Sequence, residues 1–203
     1  YNYIELRGAL IRKGYKFNTE SDVEVLVHLY KEKGISLLDD LNGIYAFALY
    51  DRKENKLFLV RDRLGVKPLY YYYNNKKLYF ASELKSILAV PGFKKEIDWD
   101  ALSTYLELMY IPAPSSPFSS ICKVNSGTYL EFTEAKLNEI VYWAPEIRND
   151  SHKSLNIWKR EILEILEDSA KLQLRADVPL GSLLSGGIDS SCVTALAAKN
   201  SKN

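Results

Sequence analysis

The sequence is poor in the residues that most often announce chemistry: 203 positions hold two cysteines, two histidines and one methionine. Cys122 and Cys192 lie in unlike surroundings, which excludes a disulfide framework and fits a reducing cytoplasm. Neither has the spacing of a metal ligand, and no metal site is expected. Excess charge is also missing. With 27 basic against 26 acidic side chains there is no field that would draw nucleic acid or an anionic membrane surface. No apolar run approaches the roughly 20 residues of a membrane helix. Nor is there a start methionine or signal-peptide pattern, since Tyr1 stands first and Met109 is the only methionine. The chain is therefore expected to begin inside its gene product. It is expected to stop inside it too, because Lys199–Asn203 follow one anticipated strand and one helix, too little to bury a parallel sheet.

What is present is aromatic and β-branched residues, with 15 tyrosines, in a pattern that suits half-buried sheets. Val23, Leu26, Val27 and Tyr30 recur at helical spacing, Ser21 can cap the first turn with Glu24 three residues on, and Gly34 ends it. A helix is predicted over 22–33, with His28 on its surface. The runs 44–51, 56–61, 69–73 and 77–81 read as a meander of antiparallel strands, with turns at 52–55 and 74–75. Arg61-Asp62-Arg63 reads as a salt-bridged turn framing Gly65 and Pro68, with no chemistry of its own. Short helices are expected over 83–88 and 101–109, a proline-rich loop over 111–117, and a last strand near 128–132. The polar stretch 138–154 reads as a linker, and 155–176 as one long helix.

Beyond the linker, the apolar run 178–184 feeds Ser185-Gly186-Gly187-Ile188-Asp189-Ser190-Ser191 and then a helical stretch. Strand, glycine turn, helix is the expected order. Two glycines let the backbone take positive φ and turn amides toward one point, where the helix adds free N–H groups and partial positive charge. Such a nest suits a polyanion. It has neither the lysine of the Gly-Lys-Ser/Thr loop nor the spaced glycines of dinucleotide folds. Its pattern resembles the pyrophosphate loop of ATP pyrophosphatases. That resemblance implies that Ser185, Gly186, Gly187, Asp189 and Ser190 hold the β and γ phosphates of ATP, with Leu184 beside the adenosine. Asp189 would orient the loop or approach the Mg²⁺ that accompanies ATP. The competing reading is a plain tight turn capped by Ser and Asp.

Residues 1 to about 132 resemble the glutaminase domain of glutamine-hydrolysing asparagine synthetases. The likeness rests on Tyr1-Asn2, on Thr19 to Val25, on Leu41-Asn42-Gly43 through Asp51, on Arg61 through Tyr71, and on Ala81-Ser82-Glu83-Leu84-Lys85. It implies an α+β chain: a four-layer αββα N-terminal-nucleophile (class II glutaminase) fold, then the first strand and helix of an α/β adenine-nucleotide α-hydrolase-like domain. The domains would be a glutaminase domain at 1–138, a linker at 139–153 and the start of the ATP-pyrophosphatase domain at 154–203. In this family an N-terminal Cys attacks the glutamine amide and an Asn-Gly pair supplies oxyanion donors. Neither is present, so no catalytic residue is expected in this fragment. Asp22 matches the carboxylate that receives the α-ammonium of glutamine, although it would serve equally as a helix-dipole partner. Cys192, at a helix start, and Cys122, in a loop, are both read as structural.

The resemblance implies a cytoplasmic parent using glutamine, aspartate and ATP with Mg²⁺, without nucleic acid or membrane, and allows a homodimer of the full-length parent. Its reaction would aminate a β-aspartyl adenylate, giving asparagine, glutamate, AMP and pyrophosphate, with the fragment inactive alone. Two alternatives share these residues: a relative amidating a polysaccharide sugar or closing a β-lactam ring, and a non-catalytic amidotransferase-like module.

Overall fold

A computed structural model describes residues 1–134, 136–147 and 153–201. The chain divides into two compact units, one made of 1–42 with 146–203 and the other of 43–145.

In the first unit, α1 (Tyr3–Arg12) and α2 (Asp22–Lys33) are followed by a 3-10 helix, Gly34–Asp39. α1 has no counterpart among the expected elements. α2 has the predicted bounds: Ser21 Oγ accepts from the Val23 amide at 3.2 Å, and Gly34 ends the helix at φ 61°. Its inward face differs from the expected one. Val25 and Leu29 are buried together with Leu10, Leu37, Leu38 and Leu41, whereas Val23 and Val27 are exposed. The inward stripe runs i, i+4 from Val25, and both neighbouring helices close on it.

His28 is likewise not on the surface. Its ring lies 4.6 Å from that of Phe17 and 5.2 Å from that of Tyr15, centroid to centroid, and both ring nitrogens are buried. The tail of this unit holds α5 (Leu155–Gln173) and α6 (Ile188–Asn200), preceding and following a non-helical stretch. The run 178–184 forms no strand, a correction with a simple cause: no strand of the described residues pairs with it, and a lone strand has unmet backbone groups.

The second unit contains two antiparallel sheets. One has the order β1 (Ala46–Asp51), β2 (Lys56–Arg61), β6 (Thr128–Thr133), β7 (Lys136–Val141); the other is β4 (Lys77–Ala81), β3 (Tyr70–Asn74), β5 (Cys122–Lys123). Leu59, Leu69, Val124 and Leu130 form their shared core, with Tyr71 and Leu78 packed against it. Side chains from both sheets thus meet in one layer, as stacked sheets require. The expected meander is therefore split: β1–β2 and β3–β4 are hairpins of different sheets, and β2 pairs with β6 rather than β3. Cys122 lies on β5, not in a loop. Residues 139–141, expected in the linker, belong instead to β7, which zips six residues onto β6. Linker residues 148–152 fall outside the described residues.

Two short helices, α3 (Leu84–Leu88) and α4 (Trp99–Leu108), complete this unit. Asp98 caps α4 by accepting from the Ala101 amide at 2.9 Å, so the helix begins two residues before its expected start.

The loop from β2 to β3 is where the chain changes sheets. Asp62, 1% exposed, accepts from the amides of Leu64 (3.2 Å), Val66 (2.9 Å) and Lys67 (2.9 Å). Arg61 donates to the carbonyls of Lys67 (2.9 Å), Val124 (2.6 Å) and Gly65 (2.7 Å). The charges of Arg61 and Asp62, expected to bridge each other, are met by main chain, which fixes the loop more tightly than an exposed ion pair.

Candidate functional site

Asp22 stands in the first turn of α2, exposed, and its carboxylate makes no hydrogen bond with the described residues. The strand of chain before it is held by Glu24, whose carboxylate accepts from the amides of Asn18 and Thr19 (both 2.8 Å) and the Thr19 hydroxyl (2.6 Å). Those bonds, the hydroxyl's foremost, lower the Glu24 carboxyl from 4.5 to about 2. Sequence reasoning placed Glu24 in a capping box with Ser21; it reaches back further and clamps the preceding turn.

Two stretches singled out in the sequence meet here. Asn2 donates its side-chain amide to the Asp40 carbonyl at 2.8 Å, and the Asn42 amide donates to Asn2 Oδ1 at 3.0 Å. Arg175 forks onto Glu5 and also reaches the Tyr1 carbonyl at 2.7 Å. The hydrophobic residues around it give no sequence signal for that clasp.

The second candidate is the loop into α6. Gly186 takes φ 83° and has no atom within 4 Å of where a Cβ would stand, so the turn needs glycine for its backbone angle and leaves open space beside it. Gly187 is the N-cap of α6 and makes no side-chain capping bond. Ser185 and Ser190 share a hydroxyl hydrogen bond at 2.9 Å, and the Ser190 hydroxyl donates to the Gly187 carbonyl at 3.1 Å. Leu184 through Asp189 are all exposed.

The first-turn amides ahead of Ser191, which donates to the Gly187 carbonyl at 3.0 Å, lack helical partners by construction. They sit at the positive end of a 13-residue helix, on the exposed residues Ile188 and Asp189. The six loop residues named in the sequence are thus together in one exposed turn. Asp189 is the single carboxylate there, and the described residues contain no cluster of three or more His, Cys, Asp or Glu side chains suited to a metal ion. Cys192 is half-buried in α6.

A family model described as a glutamine amidotransferase domain matches residues 1–143. The chain belongs to the glutamine amidotransferase family. A second family model, described as asparagine synthase, matches 161–203 and so takes in the loop and α6. Two relatives of this amidotransferase chain are asparagine synthetase [glutamine-hydrolyzing] 1 of Bacillus subtilis and asparagine synthetase B [glutamine-hydrolyzing] of Escherichia coli. The first is 37% identical over 97% of this chain and the second 38% over 98%. The chain spans 31% of the length of each.

Among solved structures, glutamine phosphoribosylpyrophosphate amidotransferase of B. subtilis superposes with a TM-score of 0.50 at 19% identity. The match covers 98% of this chain and 42% of that one. The fold is accordingly that of class II amidotransferases of the N-terminal-nucleophile kind, with the antiparallel sheets the sequence led us to expect. No helix of the described residues is long and apolar enough to cross a membrane.

Proposed function

We propose that this chain is part of a glutamine-hydrolysing asparagine synthetase. Glutamine hydrolysis in the amidotransferase domain supplies ammonia, and the synthetase domain uses it to aminate a β-aspartyl adenylate, giving asparagine, glutamate, AMP and pyrophosphate. The observation that carries the reading is the order on one chain: an amidotransferase domain, then an open glycine turn at a helix N-terminus inside a segment matching asparagine synthase.

Asp22 is assigned the α-ammonium of glutamine. Its carboxylate is exposed and unbonded, while Glu24 takes up the nearby amides that would otherwise compete for it. Ser185, Gly186, Gly187, Asp189 and Ser190 are assigned the β and γ phosphates of ATP, and Leu184 the adenosine side. Free amides, two hydroxyls and a helix dipole converge there without a buried countercharge. Mg²⁺ would arrive as MgATP, with its remaining positions filled by phosphate and water, since the loop offers it one carboxylate. Both cysteines are half-buried and neither has a nucleophile's partners, so the 203 residues by themselves turn over no glutamine. The domain division follows: amidotransferase up to β7, synthetase from about residue 154. We place the parent in the cytoplasm.

The test is to supply the full-length parent with glutamine and MgATP, and with aspartate or candidate sugar acceptors. Asparagine, AMP and pyrophosphate in equal amounts are expected with aspartate alone. AMP release only with another acceptor would replace aspartate in this scheme, and no AMP with any acceptor would overturn it.

A further inference from the structure

The sheet unit contains a cavity of about 570 Å³ whose wall includes Arg61, Tyr70, Tyr110, Lys123, Asn125 and Ser126. No acidic residue lines it. None of its residues belongs to the two candidate sites above.

Both cations in that wall are met only by neutral groups. Arg61 spends three of the five N–H bonds of a guanidinium on carbonyls, and Lys123 Nζ donates to the Ile111 carbonyl. Two carboxylates of this unit are engaged by other groups: Asp62 by three amides and Glu139 by the Asn125 side chain at 2.7 Å. Burial first, and the Arg61 charge second, push the Lys123 ammonium below its ordinary pKa. Two like charges are partly withdrawn from water on one cavity, and the carboxylate that favours the Arg61 charge, Asp62, lies in the turn and not in the cavity wall, so an anion entering the cavity would be welcome to both. Tyr70 and Tyr110 add flat apolar surface beside hydroxyls, and Asn125 and Ser126 add neutral hydrogen-bonding groups.

We propose that this cavity binds a small molecule through an oxyanion group, a carboxylate or a phosphate, held between Arg61 and Lys123. The loop that builds it is pre-formed. Gly65, at φ 66° and with Arg61 and Ser126 atoms 3.1 Å from the position of a Cβ, lets the Arg61 side chain and Ser126 close together. Binding therefore needs little reorganisation.

The experiment is an NMR titration of the 203-residue chain with inorganic phosphate and, separately, with acetate, chloride holding ionic strength constant. Saturable shifts of the Gly65, Lys123 and Ser126 amides are expected, with the Lys123 titration moving upward at saturation. Saturation by phosphate alone assigns a phosphoryl ligand, and by acetate alone a carboxylate. Lys123→Met should weaken binding at least tenfold, and Lys123→Arg should retain it. Tyr110→Glu, at a side chain 59% exposed and so tolerated by the fold, should weaken it comparably by placing a negative charge at the wall. Shifts that never saturate overturn the proposal. So do saturable shifts confined to Gly186–Ser190, or binding that Lys123→Met and Tyr110→Glu both leave unchanged.

Discussion

Two glycine turns in this chain start alike and finish differently. At 61–68 and at 184–190 a glycine takes positive φ, 66° at Gly65 and 83° at Gly186. Around Gly65 other atoms stand 3.1 Å from the Cβ position, whereas around Gly186 none lies within 4 Å. The first turn satisfies itself, its carboxylate taking three amides and its guanidinium three carbonyls. The second leaves amides of a helix start exposed, braced by two serine hydroxyls. The first turn fixes its own shape and so presents a rigid wall, whereas the second withholds its donors for a partner.

The largest expected effect comes from opening the closed turn. Asp62→Ala leaves three amides without their buried acceptor and should cost about 3 kcal/mol or more of stability. Urea unfolding would read it, and a loss under 1 kcal/mol would mean that the turn is not self-supporting. Next, Gly186→Ala should reduce ATP affinity of the full-length parent about tenfold or more. The stability cost should be only about 1 kcal/mol, because the strain is in φ alone and the Cβ meets nothing. If stability falls as much as for Asp62→Ala, the two turns are alike after all.

The turn before α2 gives an intermediate case, its backbone residues exposed but closed by a half-buried carboxylate. Glu24 has a folded pKa of about 2 against an ordinary 4.5, so the stability it provides is complete above about 4.5 and disappears as pH falls toward 2. Carbon-13 titration of its carboxyl should show that low midpoint, and Thr19→Ala should raise it. The smallest effect is expected from Glu5→Gln. It breaks the exposed fork onto Arg175 and should change unfolding free energy by less than about 1 kcal/mol, and less still at high salt.

How much of this was legible in the sequence follows from how local each signal is. α2 was readable to the residue because cap, apolar spacing and terminal glycine all lie within 14 positions. The hairpins were readable for the same reason. Asn55, Asn75 and Lys76 take the positive φ that tight turns require, and two of them are asparagines. Pairing of β2 with β6 was not readable, since partners some 70 residues apart are chosen by the shared core and not by any local pattern.

α1 was missed because Gly8 interrupts it and only Leu10 is buried, leaving a weak stripe. β7 was missed because it is an edge strand whose residues are mostly exposed, so its polar alternation looks like a linker. For the candidate site, glycine and serine spacing marked a turn into a helix, and it was the resemblance to the pyrophosphate loop that named the loop residues. The Glu24 clamp and the aromatic surroundings of His28 depend on Tyr15, Phe17, Asn18 and Thr19 folding back, which periodicity does not encode.

The unpaired run ahead of the open turn bears on handling the molecule. Val178, Leu180, Leu183 and Leu184 expose between 54% and 96% of their surface, with Ile188 at 88% just beyond. Such a segment, apolar and offering free backbone groups along its length, is a template for another copy of itself. Preparations of the 203-residue chain should become turbid as concentration rises, and a lysine at Leu183 should clear them without touching either turn.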